Sequence, residues 1–118
     1  MGYSTTYELK WQPLNAGSTI PQYEIDDLVT SAIRAAKEKD DNFMYAIDEN
    51  GESIDAYKWY DHQKEVAHFS KKFPDVLFTL HGKGEESGDV WKKYFVNGKV
   101  QVAKAKLVFD EFDEKKLA

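Results

Sequence analysis

Strict alternation marks the front of the chain. Tyr3, Thr5, Tyr7, Leu9 and Trp11 are interleaved with Ser4, Thr6, Glu8, Lys10 and Gln12. A period of two sends the first set to one face of a strand and the polar set to the other. One buried and one wet face is the habit of antiparallel or mixed sheets. Pro13, Asn15 and Gly17 end the pattern. Over residues 23–39 the period lengthens. Ile25, Leu28, Val29, Ala32, Ile33 and Ala36 recur at three- and four-residue spacing, which predicts an amphipathic helix. Glu24, Asp26 and Asp27 lie early and Arg34, Lys37 and Lys39 late, the order that complements the helix dipole. Pro21 suits the first turn or the position before it.

Residues 43–48 predict a short strand, with Phe43, Tyr45 and Ile47 on one face and Met44 and Ala46 on the other. Asn50-Gly51 is a tight-turn signal, and a return strand over 52–54 is expected after it. A second helix is expected over 56–73, capped by Asp55 or Asp61. Its apolar face runs through Ala56, Trp59, Val66, Ala67, Phe69 and Phe73, and Pro74 stops it. Val76, Phe78 and Leu80 then alternate with Leu77, Thr79 and His81, before a turn loosened by Gly82, Gly84 and Gly88. Residues 90–96 and 99–109 flank Asn97-Gly98, a hairpin signal.

This order predicts one α+β domain over residues 1–118. Two helices pack on one face of an antiparallel-dominated sheet as a two-layer sandwich. Ferredoxin-like topology, built from split βαβ units with right-handed crossovers, is the nearest standard arrangement. The expected core is Tyr7, Leu9, Leu28, Val29, Ala32, Ile33, Phe43, Tyr45, Val66, Phe69, Phe78, Leu80 and Phe95.

The segment SKKFPDVLFTLHGKGEESGDVWKKYFVNGKVQ joins a helix ending in Ser-Lys-Lys-Phe-Pro to a strand, a Gly-Glu-Glu-x-Gly-Asp turn, an aromatic strand and Asn-Gly-Lys. It resembles small ferredoxin-like proteins of phages, plasmids and other mobile elements grouped as Api92-like or YubB-like. The resemblance covers residues 60–101. It implies the fold and a mobile-element setting, and it carries over no functional residue.

Composition narrows the chemistry. Of 118 residues 42% are hydrophobic, with Phe 7, Tyr 7 and Trp 3, enough for a single core. Folding at this length removes roughly two thirds of the unfolded chain's surface from water. Cysteine is absent, which excludes disulfides, thiolate nucleophiles and Cys-based zinc sites. No run reaches the roughly 18 apolar residues of a membrane helix. The opening residues lack the basic-then-apolar order of a secretion signal, so a cytoplasmic location is expected. The net charge of −5 opposes passive attraction to phosphate backbones. It is uneven: residues 1–59 carry 11 acids and 5 bases, residues 60–118 carry 10 acids and 11 bases.

Catalytic signatures are missing, and an enzyme is not expected. His62 and His68 are six residues apart, unlike the three- or four-residue spacing of helical metal ligands. His81 ends a strand beside Glu85, Glu86 and Asp89, a set that reads first as a solvated acidic turn. Asp48-Glu49-Asn50-Gly51 fails the calcium-loop pattern, which needs Gly at position six and Glu at twelve. Gly82-Lys83-Gly84 precedes a strand rather than a helix and carries acids, so it is no phosphate loop. No catalytic residue, cofactor or metal site is assigned.

The aromatic and basic residues say more. Tyr57, Trp59 and Tyr60 cluster near the second helix, while Trp91, Tyr94 and Phe95 lie on one strand among Lys92 and Lys93. Lys99, Lys104 and Lys106 lie on its partner. Alternation sets Trp91, Lys93 and Phe95 on one face and Lys92, Tyr94 and Val96 on the other. A protein partner is expected at Tyr57, Trp59, Trp91, Lys92, Tyr94, Lys99 and Lys104, with aromatic anchors and a lysine rim. Single-stranded nucleic acid, stacked on the aromatics with lysines on phosphates, is the alternative. It ranks second because the RNA-recognition signature is absent and the chain has one arginine. An acidic decoy of DNA ranks lower, since 16 basic residues offset 21 acids. An outer strand could pair two copies, but the sequence favours neither monomer nor homodimer.

Overall fold

The computed structural model describes residues 4–15, 20–84, 89–104 and 111–117. Tyr3, Gly17, Glu85, Glu86, Gly88, Lys106 and the 105–109 end of the expected last strand lie outside the described residues. β1 (Thr5–Pro13), β2 (Val76–Gly84), β3 (Val90–Val96) and β4 (Lys99–Lys104) form an antiparallel sheet in that order. α1 (Gln22–Lys39) and α2 (His62–Ser70) both lie in the connection between β1 and β2. A single 3₁₀ turn follows at Glu114–Lys116. The α+β class therefore holds, with two α-helices and four antiparallel strands among the described residues. Every described strand neighbour is also a sequence neighbour. Split βαβ units place parallel strands side by side, and these pairings do not establish that topology.

Register follows from burial. Leu9 lies opposite Leu80, Trp11 opposite Phe78, and Phe78 opposite Phe95. Leu9, Phe78, Leu80 and Phe95 are buried, and with Tyr7 they form the inner face. α1 packs against β1, and α2 against β3 and β4. α1 buries Ile25, Val29 and Ile33, a stripe of four-residue steps. Leu28, expected in the core, is 52% exposed. It sits one residue before Val29, about 100° round the helix from that stripe. Ala32 is half-buried against the core.

The structure corrects three further expectations. Residues 43–48 form a turn, not a strand. Met44 sits at φ 51, its carbonyl accepts from Lys37 Nζ at 2.9 Å, and its amide donates to Glu65 Oε1 at 2.6 Å. Met44, Ala46 and Ile47 are buried, whereas Phe43 and Tyr45 are half-buried around them. The Asn50-Gly51 turn does form, with Asp48 Oδ1 accepting from the amides of Asn50 and Glu52. Only isolated bridges follow it, Ile47 to Ser53 and Glu8 to Glu52, so no return strand develops. Gly51 has φ +81, and a Cβ there would lie 2.1 Å from the Leu9 carbonyl oxygen.

The second helix begins at His62, not 56. Tyr57 exchanges both backbone hydrogen bonds with Thr5, each 2.9 Å. That pairing takes the amide and carbonyl a helix would have used, and it covers the edge of β1. Asp61 occupies the N-cap position without a capping side-chain bond. At the other end Ser70, fully buried, donates to Ala67 O and accepts from Gly98 N at 2.8 Å. That bond docks the β3–β4 hairpin onto α2. The hairpin turn itself holds Asn97 at φ 46 and Gly98 at φ 83, the positive pair that a two-residue turn requires.

Truncating a true core ring and the misplaced leucine should separate cleanly. Phe78→Ala is expected to cost about 3–5 kcal/mol of unfolding free energy. Leu28→Ala is expected to cost about 1 kcal/mol or less. Urea titration of both variants checks the assignment of faces.

Candidate functional site

Two neighbourhoods stand out, on opposite faces of β3. On the outer face the cross-strand rows run Glu8, His81, Lys92, Ala103 and Lys10, Thr79, Tyr94, Gln101. Strand pleating puts these on the side away from the helices. Near one end, Leu14, Leu77, Tyr94, Val96 and Lys99 line a shallow groove of about 450 Å³. Lys10 pairs with Glu8 at 3.2 Å, an exposed contact of little energetic weight. Lys83, Lys92 and Lys99 make no ion pair among the described residues. Partial burial, then the charge of Lys92, lowers the pKa of His81 and so favours its neutral form. The face is thus net positive on an acidic chain.

The inner face holds a ring cluster that sequence reasoning missed. Trp59, expected on the partner surface, is 1% exposed. Its indole N–H donates to Glu65 Oε2 at 3.0 Å, and its ring meets Tyr7 edge-on at 5.3 Å. Glu65 thereby spans the Met44 amide and the Trp59 indole, and both of its oxygens are occupied. Trp91 lies flat over Gly82, where an added Cβ would sit 2.1 Å from its ring. His62 stacks on Trp91 at 5.0 Å and 25°.

The imidazole is fixed at both nitrogens. Nδ1 lies 2.8 Å from the Trp59 carbonyl oxygen, which can only accept, so Nδ1 carries the proton. Nε2 therefore presents a lone pair, and Lys93 Nζ lies 2.7 Å from it. Lys93 also donates to Gln63 Oε1 at 3.1 Å and sits 4.9 Å over the Trp91 ring. Burial lowers the pKa of His62, with a smaller push from Lys93, against the Trp59 carbonyl and Glu65, which raise it. Burial also lowers the pKa of Lys93.

The expected partner surface therefore divides. Lys92, Tyr94 and Lys99 share the outer face. Trp91 turns inward, and Lys104 is its register partner on β4. Trp59 is core, and half-buried Tyr57 packs edge-on against Tyr45 at 5.5 Å. The alternation of β3 was readable, but the meeting of His62 with Lys93 spans 31 positions and leaves no local periodic trace.

A separate groove of about 560 Å³ runs between the 40–45 turn and α2, lined by Asp40, Asp61, Lys64, Glu65 and His68. Among the described residues no group of three or more His, Asp or Glu side chains could hold a metal ion. No described helix is long and apolar enough to cross a membrane. No family model matches the chain, and neither a curated protein nor a solved structure matches it.

The lowered pKa of His62 has a signed consequence. Between its ordinary value of 6.5 and its lower folded value, the unfolded chain binds more protons than the folded one. His62 therefore withdraws stability as pH falls below 6.5, and the loss levels off below the folded pKa. Urea unfolding at pH 7.5 and 5.5 should show a smaller drop for His62→Gln than for the wild type. Equal drops would count against the buried neutral imidazole.

Proposed function

We propose that this chain is a non-enzymatic protein-binding module, an inhibitor or accessory factor that docks a host protein through the outer face of its sheet. The carrying observation is the groove at Leu77, Tyr94 and Val96, bordered by Lys99, with Lys92 one row along the same outer face, which neither α1 nor α2 covers. An apolar centre with a charged rim is the usual anatomy of a protein interface. The lysine excess favours a partner with acidic groups around its apolar contact. The mobile-element setting implied by residues 60–101 belongs to this reading and is compatible with a small accessory protein.

Nucleic acid is the weaker reading. Single-strand binders stack successive bases on several rings. Among the described residues Tyr94 is the one aromatic on the outer face, because Trp91 and Phe95 point inward.

Capture from host lysate should be lost with Tyr94→Ala and with Lys92→Glu, yet kept with His62→Gln, which alters the inner face only. Titration with single-stranded oligonucleotides at low salt should stay flat. Capture indifferent to both outer-face changes would remove the proposal, and salt-sensitive oligonucleotide binding weakened by Lys92→Glu would replace it with the nucleic-acid reading.

A further inference from the structure

The inner-face cluster has chemistry that protein docking does not use. Lys93 carries an amine with no carboxylate partner among the described residues. Its neighbours are a neutral imidazole nitrogen, an amide oxygen and an indole face. None supplies the negative charge that normally accompanies a lysine withdrawn from water. The ionisable groups facing the pair are Glu65 and His62 itself on α2 and Tyr7 on β1. Glu65 is already held by Met44 and Trp59.

We propose that Lys93 is a reactive amine that captures small aldehydes as imines, with His62 as its proton acceptor. The neutral Lys93 nitrogen attacks the carbonyl carbon, an N–C bond forms, and the carbonyl π pair moves to oxygen. His62 Nε2, 2.7 Å away, takes one proton from the nitrogen and passes it to the alkoxide, giving a carbinolamine. The hydroxyl is then protonated and leaves as water while the nitrogen lone pair forms the C=N bond, and Nε2 takes the remaining N–H proton, so that both amine hydrogens end on the water. Nothing is oxidised or reduced. The Nδ1–H bond to the Trp59 carbonyl keeps Nε2 free to accept. Desolvation favours the uncharged amine, as in lysines that form Schiff bases. Lys93 is half-buried rather than sealed, so a dissolved reagent reaches it.

The adjacent Lys92 is exposed on the opposite face and serves as an internal control. The intact chain is treated at pH 7.5 with limiting 2-hydroxybenzaldehyde, the imines are trapped with cyanoborohydride, and labelling is mapped by peptide mass spectrometry. Lys93 should label severalfold faster than Lys92, because desolvation leaves more of its amine uncharged. His62→Gln should slow Lys93 severalfold and remove the extra loss of rate, beyond protonation of the amine itself, that sets in below the folded pKa of His62, with the other lysines unchanged. Labelling of Lys93 no faster than Lys92 overturns the proposal. A Lys93 rate and pH profile that His62→Gln leaves untouched overturns the role given to His62. Neither result bears on the outer-face docking surface.

Discussion

The pleat of β3 is the constraint on which the rest depends. Adjacent residues of a strand point to opposite sides, and a slip of one residue exchanges the two sets completely. β2 and β3 meet with Phe78 opposite Phe95 and Thr79 opposite Tyr94. Phe78, Leu80 and Phe95 are fully buried, so a slipped register would drive Thr79, His81 or Tyr94 into the core and strand those rings in water. Burial thus locks one register. That register sends Lys92 and Tyr94 to the open face and Trp91 and Lys93 to the covered one. A single seven-residue strand supplies two surfaces with different chemistry, and their separation is a consequence of packing.

The covered face is completed by an irregular segment rather than by regular structure. The chain from Met44 to Asp61 crosses the edge of β1, where Gly51 and Tyr57 bond to Leu9 and Thr5. Backbone bonds spent there prevent the segment from being helix or strand, and they deliver Trp59 to the centre of the core. The Trp59 carbonyl then orients His62 at the first position of α2. Glu65, one turn on, anchors the Met44 turn and the Trp59 indole together. The His62–Lys93 contact is therefore the end of a chain of hydrogen bonds that begins at the edge of the sheet.

What the sequence disclosed follows from the range of the forces involved. β1, α1, the stop at Pro74 and the Asn97-Gly98 hairpin are local matters of alternation, helical period and turn chemistry, and they stand in the structure within a few residues of expectation. Residues 43–48 alternate like a strand, but two distant side chains, Lys37 and Glu65, grip Met44 and hold it at positive φ. Trp59 fits a helical face on paper, yet the bonds from Tyr57 to Thr5 forbid the helix. Leu28 fits the period of α1, and only the narrow footprint of the helix on β1 explains its exposure. The two faces of β3 were legible because pleating is local, whereas the partners waiting on the inner face were not.

The division of β3 is most directly tested by NMR with a soluble paramagnetic probe, reading side-chain signals along the strand. The structure requires strong attenuation at exposed Lys92, intermediate attenuation at half-buried Tyr94 and Trp91, and the weakest at buried Phe95. Attenuation of the Phe95 ring as strong as that of Tyr94 would contradict the register, and both surfaces would go with it.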